Sequence, residues 1–585
     1  MNKYRTHTCN ELRLEDEGKQ VKLSGFVKTI RNLGGFIFID LRDHYGIMQI
    51  TTQDEKIVEQ IKKINVESTI CVTGNVIKRP KENLNDKIET GEVEVVIDTL
   101  EVLNNVVNPL PFEIEKSREV REDLRLEYRF LDLRNDSIHK KVVFRSTVLK
   151  TLRDKMDSMG FIEIQTPILT SSSPEGARDF LIPSRIHPGE FYALPQAPQQ
   201  FKQLLMISGF DKYYQIAPCF RDEDPRADRS PGEFYQLDFE MAFVEEEDVL
   251  NVLEEVIGYT FKKLSTSKIS ESPFIRIPYR ESIDKYGSDK PDLRNPLVLS
   301  DLTEVFLGTE FIVFKNKTIK CIAVDTKSVT RKFFDEMVKY AKEELGLGGL
   351  AWIKINEDAT IAGSITKYIT EDMLTKIKDI TNAKEGYGLF FLADEYEKVC
   401  KDTGNIRIEL GKRLNLLDND IYKFCFVVDF PMYELNDGKI DFAHNPFSMP
   451  KGGLESLLNM EPLDILAHQY DLVCNGYEIA SGAVRNHNTD VMLKAFEIAG
   501  YTKEHVENKF GALFNAFKYG APPHAGAAPG VDRIVMLLCK ENNIREVIAF
   551  PKNSKARDLL MQAPNFVSEG QLKDVHIEVR SSKKV

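Results

Sequence analysis

The most informative hydrophobic pattern in the chain is a strand, a long charged loop and a returning strand, between residues 218 and 240. Polar and apolar residues alternate on the returning strand, so three polar side chains share one face. These are Gln236, Asp238 and Glu240. Arg221 lies where the first strand meets the loop and Phe234 lies where the chain returns, and such a pair suits a phosphate and a base. A solvated hairpin with one polar face is the alternative interpretation.

Residues 1–104 are predicted to form a small β domain. Alternating segments separated by Gly and Asn/Asp turns occur at 21–28, 35–41, 46–51 and 92–100. This pattern is typical of a five-stranded barrel of the OB type, which binds single-stranded nucleic acid through exposed aromatic residues and basic edges. In the alternative interpretation, Phe36 and Phe38 are ordinary core residues of a small barrel.

The rest of the chain predicts a catalytic domain in two parts with an insertion between them. Residues 105–137 contain prolines and are interpreted as a linker or hinge. The first catalytic part, 138–288, begins with a helix at 138–159. Residues 289–419 contain an amphipathic helix and apolar strands, with no cluster of His, Cys or paired carboxylates that indicates catalysis, and are interpreted as an α+β insertion. The second catalytic part is 420–585.

Two carboxylates are predicted to meet on a hairpin. Asn475-Gly476 is the strongest two-residue hairpin signal, and it places Asp471 opposite Ala480. Glu478 then lies diagonal to Asp471 on the same face, where two carboxylates could hold Mg²⁺. A polar sheet face without a ligand is the alternative.

Two arginines are candidates for anion binding near these carboxylates. Arg485 follows Glu478 by an odd number of residues, so strict alternation places it on the other face unless a break near Gly482 re-aims it. Farther on, a segment rich in Gly, Pro and Ala, 520–530, enters an apolar helix and directs N–H groups at a ligand. Arg533 in the first turn opposes the helix dipole, which an anionic ligand would explain. A glycine-capped core helix is the alternative.

Composition limits the choice of partners. The chain of 585 residues is 42% hydrophobic, carries a formal net charge of −13 and has no run of about 18 apolar residues, so we expect no membrane span. Its eight scattered cysteines include no Cys-x-x-Cys pair, and its first twenty residues are polar, which together favour a cytoplasmic location. Any RNA binding must therefore use local basic patches and base stacking.

The hairpin and the glycine loop together resemble the class II aminoacyl-tRNA synthetases. The second signature of that class is similar to Phe-Arg-Asp-Glu at 220–223 with Phe-Tyr-Gln-Leu-Asp-Phe-Glu at 234–240. The third signature is similar to Gly-Val-Asp-Arg at 530–533. The helix and strand that end at Pro167 resemble the first signature, which forms the dimer interface in that class.

Three further stretches resemble the bacterial type of aspartyl-tRNA synthetase. They are Tyr-Arg-Thr-His-Thr-Cys at 4–9, Ser-Pro-Glu-Gly-Ala-Arg-Asp at 173–179 and Gln-Ala-Pro-Gln-Gln-Phe-Lys-Gln-Leu-Leu at 196–205. The insertion matches the extra domain of that type. The resemblance covers essentially the whole chain, and it implies an α+β multidomain protein with an OB-type barrel, a class II antiparallel-sheet catalytic domain and an α+β insertion domain.

The resemblance also implies a reaction and its residues. The chain would activate L-aspartate with ATP and transfer it to tRNA-Asp, as a homodimer. The implied catalytic residues are Arg221, Glu478 and Arg533. Aspartate would contact Glu175, Gln199, Lys202, Arg221, Asp238, His444 and Arg485. ATP would contact Arg221, Asp222, Glu223, Phe234, Glu478, Gly530, Val531, Asp532 and Arg533. Mg²⁺ would bind Asp471 and Glu478, and the tRNA anticodon would contact Arg31, Leu33, Phe38 and Gln49.

Three other functions are weighed against this one. The nearest is the same enzyme with relaxed tRNA choice, which also charges tRNA-Asn. Leu33 matches the family variant usually specific for tRNA-Asp, whereas the relaxed variant usually has His there. A catalytically silent relative would lack Arg221, Glu478 or Arg533, which are all present. A small-molecule amide ligase would not need the N-terminal barrel.

Overall fold

The chain divides into two units, residues 1–113 and 114–585. The computed structural model describes residues 2–172, 177–224, 226–229 and 232–580. No helix among these described residues is both long and apolar enough to cross a membrane.

The first unit is a closed barrel whose inward positions follow the predicted alternation. Its elements are β1 Gln20–Leu33, β2 Phe36–Arg42, β3 Ile47–Thr52, α1 Glu55–Ile61, β4 Thr69–Lys78 and β5 Val93–Asn104. The strands are ordered β1-β2-β3-β5-β4. Ile37, Ile39 and Leu41 of β2 point into the barrel core, two residues apart as a pleated strand requires. The prediction of a five-stranded OB-type barrel is confirmed.

The second unit contains the strands that carry the candidate site. They are β6 Ile162–Glu163, β7 Leu181–Pro183, β8 Phe191–Ala193, β9 Lys212–Arg221, β10 Gly232–Ala242, β11 Lys268–Ile269, β12 Ile275–Pro278, β13 Ser300–Asp301, β14 Thr318–Asp325, β15 Ala351–Ile355, β16 Ile361–Gly363, β17 Tyr387–Asp394, β18 Ile421–Tyr422, β19 Phe424–Pro431, β20 Tyr433–Asn436, β21 Lys439–Phe442, β22 Leu466–Cys474, β23 Tyr477–Val484 and β24 His524–Ala527. The main sheet has eight strands in the order β12-β19-β22-β23-β24-β10-β9-β6. Its inner pairs are antiparallel, and only the outermost strands, β12 and β6, pair in parallel with their neighbours.

Helices of the second unit pack around this sheet and complete the insertion. They are α2 Glu122–Glu127, α3 Arg129–Asp132, α4 Asp136–Ser158, α5 Gln199–Ile207, α6 Glu246–Leu264, α7 Tyr279–Tyr286, α8 Arg331–Glu343, α9 Glu371–Thr381, α10 Tyr396–Arg413, α11 Gly453–Asn459, α12 Thr489–Ile498, α13 Lys503–Lys509, α14 Gly511–Phe517, α15 Val531–Leu538 and α16 Glu569–Asp574. Leu152 of α4, Leu253 of α6 and Ile534 of α15 are buried in one apolar core with Phe239 of β10. The polar face of β10 is therefore turned away from α4, α6 and α15.

The insertion has its own sheet, ordered β13-β14-β17-β15-β16 and antiparallel throughout. Phe334 of α8 stacks on Trp352 of β15 with ring centroids 4.4 Å apart. The predicted amphipathic helix and apolar strands of this region are α8, β15 and β17.

Two local expectations need correction. The strand predicted to end at Pro167 is reduced to β6, Ile162–Glu163, which pairs with β9. The predicted glycine loop at 520–530 contains the strand β24, His524–Ala527, which pairs with β10 and β23 in the middle of the sheet.

We expect Gly287→Ala to lower the apparent Tm clearly more than Gly346→Ala. Both glycines have a positive φ, +67° and +66°. A β-carbon at Gly287 would lie 2.3 Å from the carbonyl oxygen of Cys400 in α10, whereas nothing lies within 4 Å at Gly346. Overpacking against backbone costs roughly 1–3 kcal/mol beyond the shared backbone strain. Equal losses of Tm in scanning calorimetry would show that α10 gives way at no cost.

Candidate active site

A cavity of about 430 Å³ opens on the polar face of the main sheet. The predicted site residues that line it are Gln199, Lys202, Arg221, Glu223, Phe234, Asp238, His444, Asp471, Glu478, Arg485, Gly530, Asp532 and Arg533. The three arginines Arg221, Arg485 and Arg533 thus share one cavity although they are distant in sequence.

Two of the predicted residues that the structure describes do not line this cavity. The Asp222 side chain lies 3.7 Å from Arg178 in an exposed ion pair. Val531 is buried in the apolar core beneath the sheet. Glu175 lies outside the described residues.

The floor of the cavity is a fully buried cluster of two cations and two carboxylates. Arg485 donates through Nε and Nη2 to the two oxygens of Glu240, at 2.8 and 3.1 Å. Lys202 Nζ lies 2.8 Å from Asp238 Oδ1 and 3.3 Å from Glu240 Oε2. A β-carbon at Gly526, opposite Glu240 on β24, would lie 2.2 Å from Glu240 Oε2, so only glycine leaves room for this carboxylate.

A β-bulge directs Arg485 into the cavity. Val473 pairs with Glu478, but Asp471 pairs with Ser481, because Ile479 is an extra residue on β23. The expected pairing of Asp471 with Ala480 is therefore wrong by one residue. The bulge reverses the alternation after Glu478, so Arg485 shares a face with the two carboxylates. The break occurs at Ile479, earlier than the predicted position near Gly482.

Burial and ion pairing shift the pKa values of the carboxylates in this floor in opposite directions. Burial raises the pKa of Asp238 despite the neighbouring Lys202. Burial alone would also raise the pKa of Glu240, but Arg485 and Lys202 outweigh it and hold the pKa below its usual value. Burial lowers the pKa of His524, beneath the floor, to about 4, so its ring is neutral near pH 7.

Three buried polar atoms of residues that line the cavity have no hydrogen-bond partner among the described residues. They are Gln199 Nε2, Arg221 Nε and Asp238 Oδ2. Buried polar atoms in native proteins are nearly always paired, so a ligand that both accepts and donates hydrogen bonds fits here. An amino acid, with a carboxylate and an ammonium, has this combination.

The other end of the cavity combines an aromatic ring with positive charge. The guanidinium carbon of Arg221 lies 5.0 Å from the centre of the Phe234 ring. Arg533 Nη1 donates to the carbonyl oxygen of Glu478 at 2.5 Å, and its Nε donates to that of Asp228 at 3.2 Å. The two hydrogen bonds hold the Arg533 guanidinium in place before a ligand binds.

Asp532 supports this wall instead of contacting the cavity with free oxygens. One of its oxygens pairs with Arg145 of α4. The other accepts from the backbone N–H of Tyr235 at 2.9 Å. Asp532 thereby ties α15 to the strand that carries Phe234.

The two hairpin carboxylates lie beside a lysine that the sequence analysis missed. Lys290 Nζ lies 3.3 Å from Glu478 Oε2. Burial and the charge of Glu478 raise the pKa of Asp471 well above that of an ordinary aspartate. Burial alone would lower the pKa of Lys290, but Glu478 and Asp289 raise it. Over the described ranges, no group of three or more His, Cys, Asp or Glu side chains forms a metal site.

Other lining residues were also missed. They are Asp228, Arg229, Gln236, Asp289, Gln469 and Ser481. The alternation on β10 marks Gln236, which shares the face of Asp238. Asp289 and Lys290 stand in a Lys/Asp/Pro-rich run that indicates a linker, and no local pattern assigns them to a pocket. The segment interpreted as the insertion thus contributes two residues to the cavity lining.

The barrel brings the four predicted anticodon residues to one outer surface. Arg31 Nη2 donates to Asp40 Oδ1 at 2.9 Å and to Gln49 Oε1 at 3.0 Å. Arg31 pairs across the strands with Phe38, whose ring stacks on Phe36 with centroids 6.3 Å apart.

The aromatic residues of this surface are not part of the barrel core. Leu33 is 66% exposed and Phe36 is 45% exposed. The alternative interpretation of Phe36 as an ordinary core residue is therefore wrong.

Family comparisons agree with both parts of the chain. The family model of class II tRNA synthetases (D, K and N) matches residues 121–554. The OB-fold nucleic acid binding domain matches residues 21–103. The chain therefore belongs to the class II aminoacyl-tRNA synthetases.

Curated relatives narrow this class. The chain is 53% identical over 584 residues to an aspartate–tRNA ligase of Streptomyces avermitilis, covering 99% of each chain. It is 52% identical over 596 residues to an aspartate–tRNA(Asp/Asn) ligase of Rickettsia bellii, covering 100% of this chain and 99% of the relative. Within its class, the chain is a member of the aspartate–tRNA ligase family.

Solved structures share the fold at lower identity. Asparaginyl-tRNA synthetase from Pyrococcus horikoshii, complexed with asparaginyl-adenylate, matches with a TM-score of 0.58 and 20% identity, covering 93% of this chain and 97% of that one. Aspartyl tRNA synthetase from Entamoeba histolytica matches with a TM-score of 0.55 and 21% identity, covering 92% and 90%. These matches establish the fold alone.

We expect His524→Gln to weaken the acid sensitivity of the protein. The folded-state pKa of about 4 lies below the ordinary 6.5, so the unfolded chain binds the proton first and stability falls as the pH drops from 6.5 to 4. Without the imidazole, the free energy of unfolding should fall by about 3 kcal/mol less between pH 6.5 and pH 4. The effect is measured as the apparent Tm of the wild type and the variant as a function of pH. The exposed His187→Gln variant is the control. Parallel curves for all three proteins would contradict the assignment.

Proposed function

We propose that the cavity activates L-aspartate with ATP, giving aspartyl-adenylate and pyrophosphate, and that the chain transfers aspartate to the 3′ end of tRNA-Asp. The observation that carries this proposal is the pair of fully buried cations, Lys202 and Arg485, in the same cavity as Arg221 and Arg533. Membership in the aspartate–tRNA ligase family supports it.

Lys202 and Arg485 suit the side-chain carboxylate of aspartate. Both are held by buried carboxylates, so neither side chain reorganises when the ligand arrives. Asparagine would direct its NH₂ group at donors, which strongly disfavours it in a buried site. Asp238 Oδ2, which has no partner among the described residues, is positioned to accept from the ammonium, together with Gln199 and the predicted Glu175. His444 lines the mouth above them.

ATP suits the opposite end of the cavity. Adenine would stack on Phe234, with Glu223 at its edge and Gly530 beneath the sugar and phosphates. Arg221 would contact the α-phosphate and the aspartate carboxylate, and Arg533 would contact the γ-phosphate. In-line attack of a carboxylate on the α-phosphorus needs positioning and charge neutralisation more than covalent help, and fixed guanidinium groups supply both.

Mg²⁺ fits Asp471 and Glu478. Burial and the charge of Glu478 raise the pKa of Asp471, and a divalent cation between the two carboxylates would relieve their repulsion. Mg²⁺ is commonly held by one or two carboxylates together with substrate phosphates, which agrees with the absence of a three-ligand group in the described part of the chain. When bound, it would neutralise phosphate charge during the reaction.

The barrel surface around Phe38 suits an unstacked anticodon base beside Arg31 and Gln49. We propose that the enzyme prefers tRNA-Asp over tRNA-Asn, with Leu33 as the contact that favours this choice. Relatives named aspartate–tRNA ligase and relatives named aspartate–tRNA(Asp/Asn) ligase match at similar identity. A non-discriminating enzyme is therefore the second candidate.

We further propose that the chain acts as a cytoplasmic homodimer. Exposed apolar side chains follow α4 and β6, including Val143 at 42% and Ile162 at 55% exposure. In the class II family this region forms the dimer interface, and a second copy would cover these side chains. The described cysteines are thiols, as expected in a reducing compartment.

We expect Arg485→Leu to reduce aspartate-dependent ATP–pyrophosphate exchange by about 100-fold or more, because the buried Glu240 carboxylate keeps only Lys202 as a cationic partner and aspartate loses its own partner. ATP binding, measured by calorimetry, should change less than about twofold, since Arg485 lies at the amino acid end. Exposed Arg331→Leu in the insertion is the matched control. Near-normal exchange by Arg485→Leu would remove this residue from the aspartate site.

We expect the enzyme to charge purified tRNA-Asp at least about tenfold more efficiently than purified tRNA-Asn. Leu33→His should narrow this difference, because an imidazole adds hydrogen-bonding groups where an exposed leucine offers none. Val66→His, at another exposed apolar position of the barrel, should leave the difference unchanged. Comparable charging of both tRNAs by the wild-type enzyme would favour the non-discriminating alternative.

A further inference from the structure

The segment that carries Lys290 into the cavity is held from outside by the insertion. Residues 289–297 leave α7 at Gly287 and run between the hairpin β22–β23 and helix α10. A β-carbon on Gly476, at the hairpin turn, would lie 3.3 Å from Asp292 Cβ. A β-carbon on Gly411 of α10 would lie 2.4 Å from Asn295 Nδ2. The segment is thus clamped on both sides by backbone that only glycine permits.

Arg407 of α10 is the main polar link in this clamp. Its Nε donates to the carbonyl oxygen of Leu297 at 2.6 Å, and its Nη2 donates to those of Asp292 and Asn295 at 2.9 and 2.8 Å. Its own carbonyl oxygen accepts from Asn295 Nδ2 at 2.9 Å. The guanidinium is fully buried, and its carbon lies 5.1 Å from the centre of the Tyr286 ring. It forms no ion pair within the described ranges, and these hydrogen bonds direct its charge at the backbone of the segment.

Lys290 and Arg533 both contact Glu478. Lys290 approaches the Glu478 side chain, and Arg533 binds the Glu478 carbonyl oxygen. Two cations therefore meet at one wall of the cavity, the wall that the proposed function assigns to the far phosphates of ATP. A lysine on a flexible stem is able to exchange a carboxylate partner for a phosphate.

We propose that Lys290 binds the pyrophosphate part of ATP and that Arg407 is the positioning residue that holds Lys290 there. The proposal rests on the proposed function. It also assigns a role to the insertion: α10 supports one wall of the active site from the far side.

The test compares equilibrium binding of ATP, AMP and aspartate by calorimetry in the full chain. Lys290→Met should weaken ATP binding about tenfold, as the loss of a charged hydrogen bond does, and change AMP binding less than about twofold. Arg407→Met should show the same selectivity for ATP. Arg413→Met, in the last turn of the same helix, is the matched control and should bind all three ligands normally.

The double variant Lys290→Met/Arg407→Met separates positioning from general support. If Arg407 acts through Lys290, the double variant binds ATP no more weakly than Lys290→Met alone. Additive losses, or equal weakening of ATP, AMP and aspartate by Arg407→Met, would overturn the positioning role. Should Arg407→Met fail to fold, Arg407→Lys, which keeps the charge and a shorter donor, replaces it in the cycle.

Unchanged ATP binding by Lys290→Met would overturn the phosphate contact. Aspartate-dependent ATP–pyrophosphate exchange by the wild-type enzyme is measured in parallel. Its presence keeps the proposed function intact whatever the Lys290 variants do, and its absence rejects the proposed function itself.

Discussion

Glu240 is bound by Arg485 through two hydrogen bonds and lies 3.3 Å from Lys202, and all three side chains are buried. Two cations cannot remain desolvated at the bottom of a cavity without anionic partners, because the penalty for burying an isolated charge is several kcal/mol, roughly. The carboxylate makes the cations tolerable in the folded protein and fixes their direction. Everything proposed about amino acid choice depends on that balance of charge.

The main sheet provides the space that this cluster needs. Glycine at position 526 leaves room for the Glu240 carboxylate, and the extra residue Ile479 changes which face of β23 its later side chains occupy. A regular sheet with larger side chains would have closed the cavity or turned Arg485 into the apolar core. Small residues and one bulge, rather than long loops, therefore shape this end of the site.

Alternation predicted much of the fold, because a strand with one buried face must place its polar residues two apart. This alternation predicted the barrel, the polar face of β10 and the meeting of two carboxylates on the hairpin. It did not give the bulge at Ile479, since one inserted residue leaves no local trace in the hydrophobic pattern. It also missed Lys290, whose position is set by contacts with α10, far along the chain.

Signature motifs added residues that alternation alone does not identify, such as Lys202 on α5, and they also included Asp222 and Val531, which do not line the cavity. A motif reports which residues recur together and not which side chains face a ligand. Asp222 is turned outward to Arg178, and Val531 packs beneath the sheet.

The close fit of Gly287 against α10 has a consequence for modularity. A region that is inserted within another domain can often be deleted as a unit and replaced by a short linker. Here the segment 289–297 and helix α10 pack against the surrounding domain. Deleting residues 289–419 would therefore remove a wall of the proposed catalytic cavity. The transplantable part is confined to the sheet and helices between residues 298 and 395.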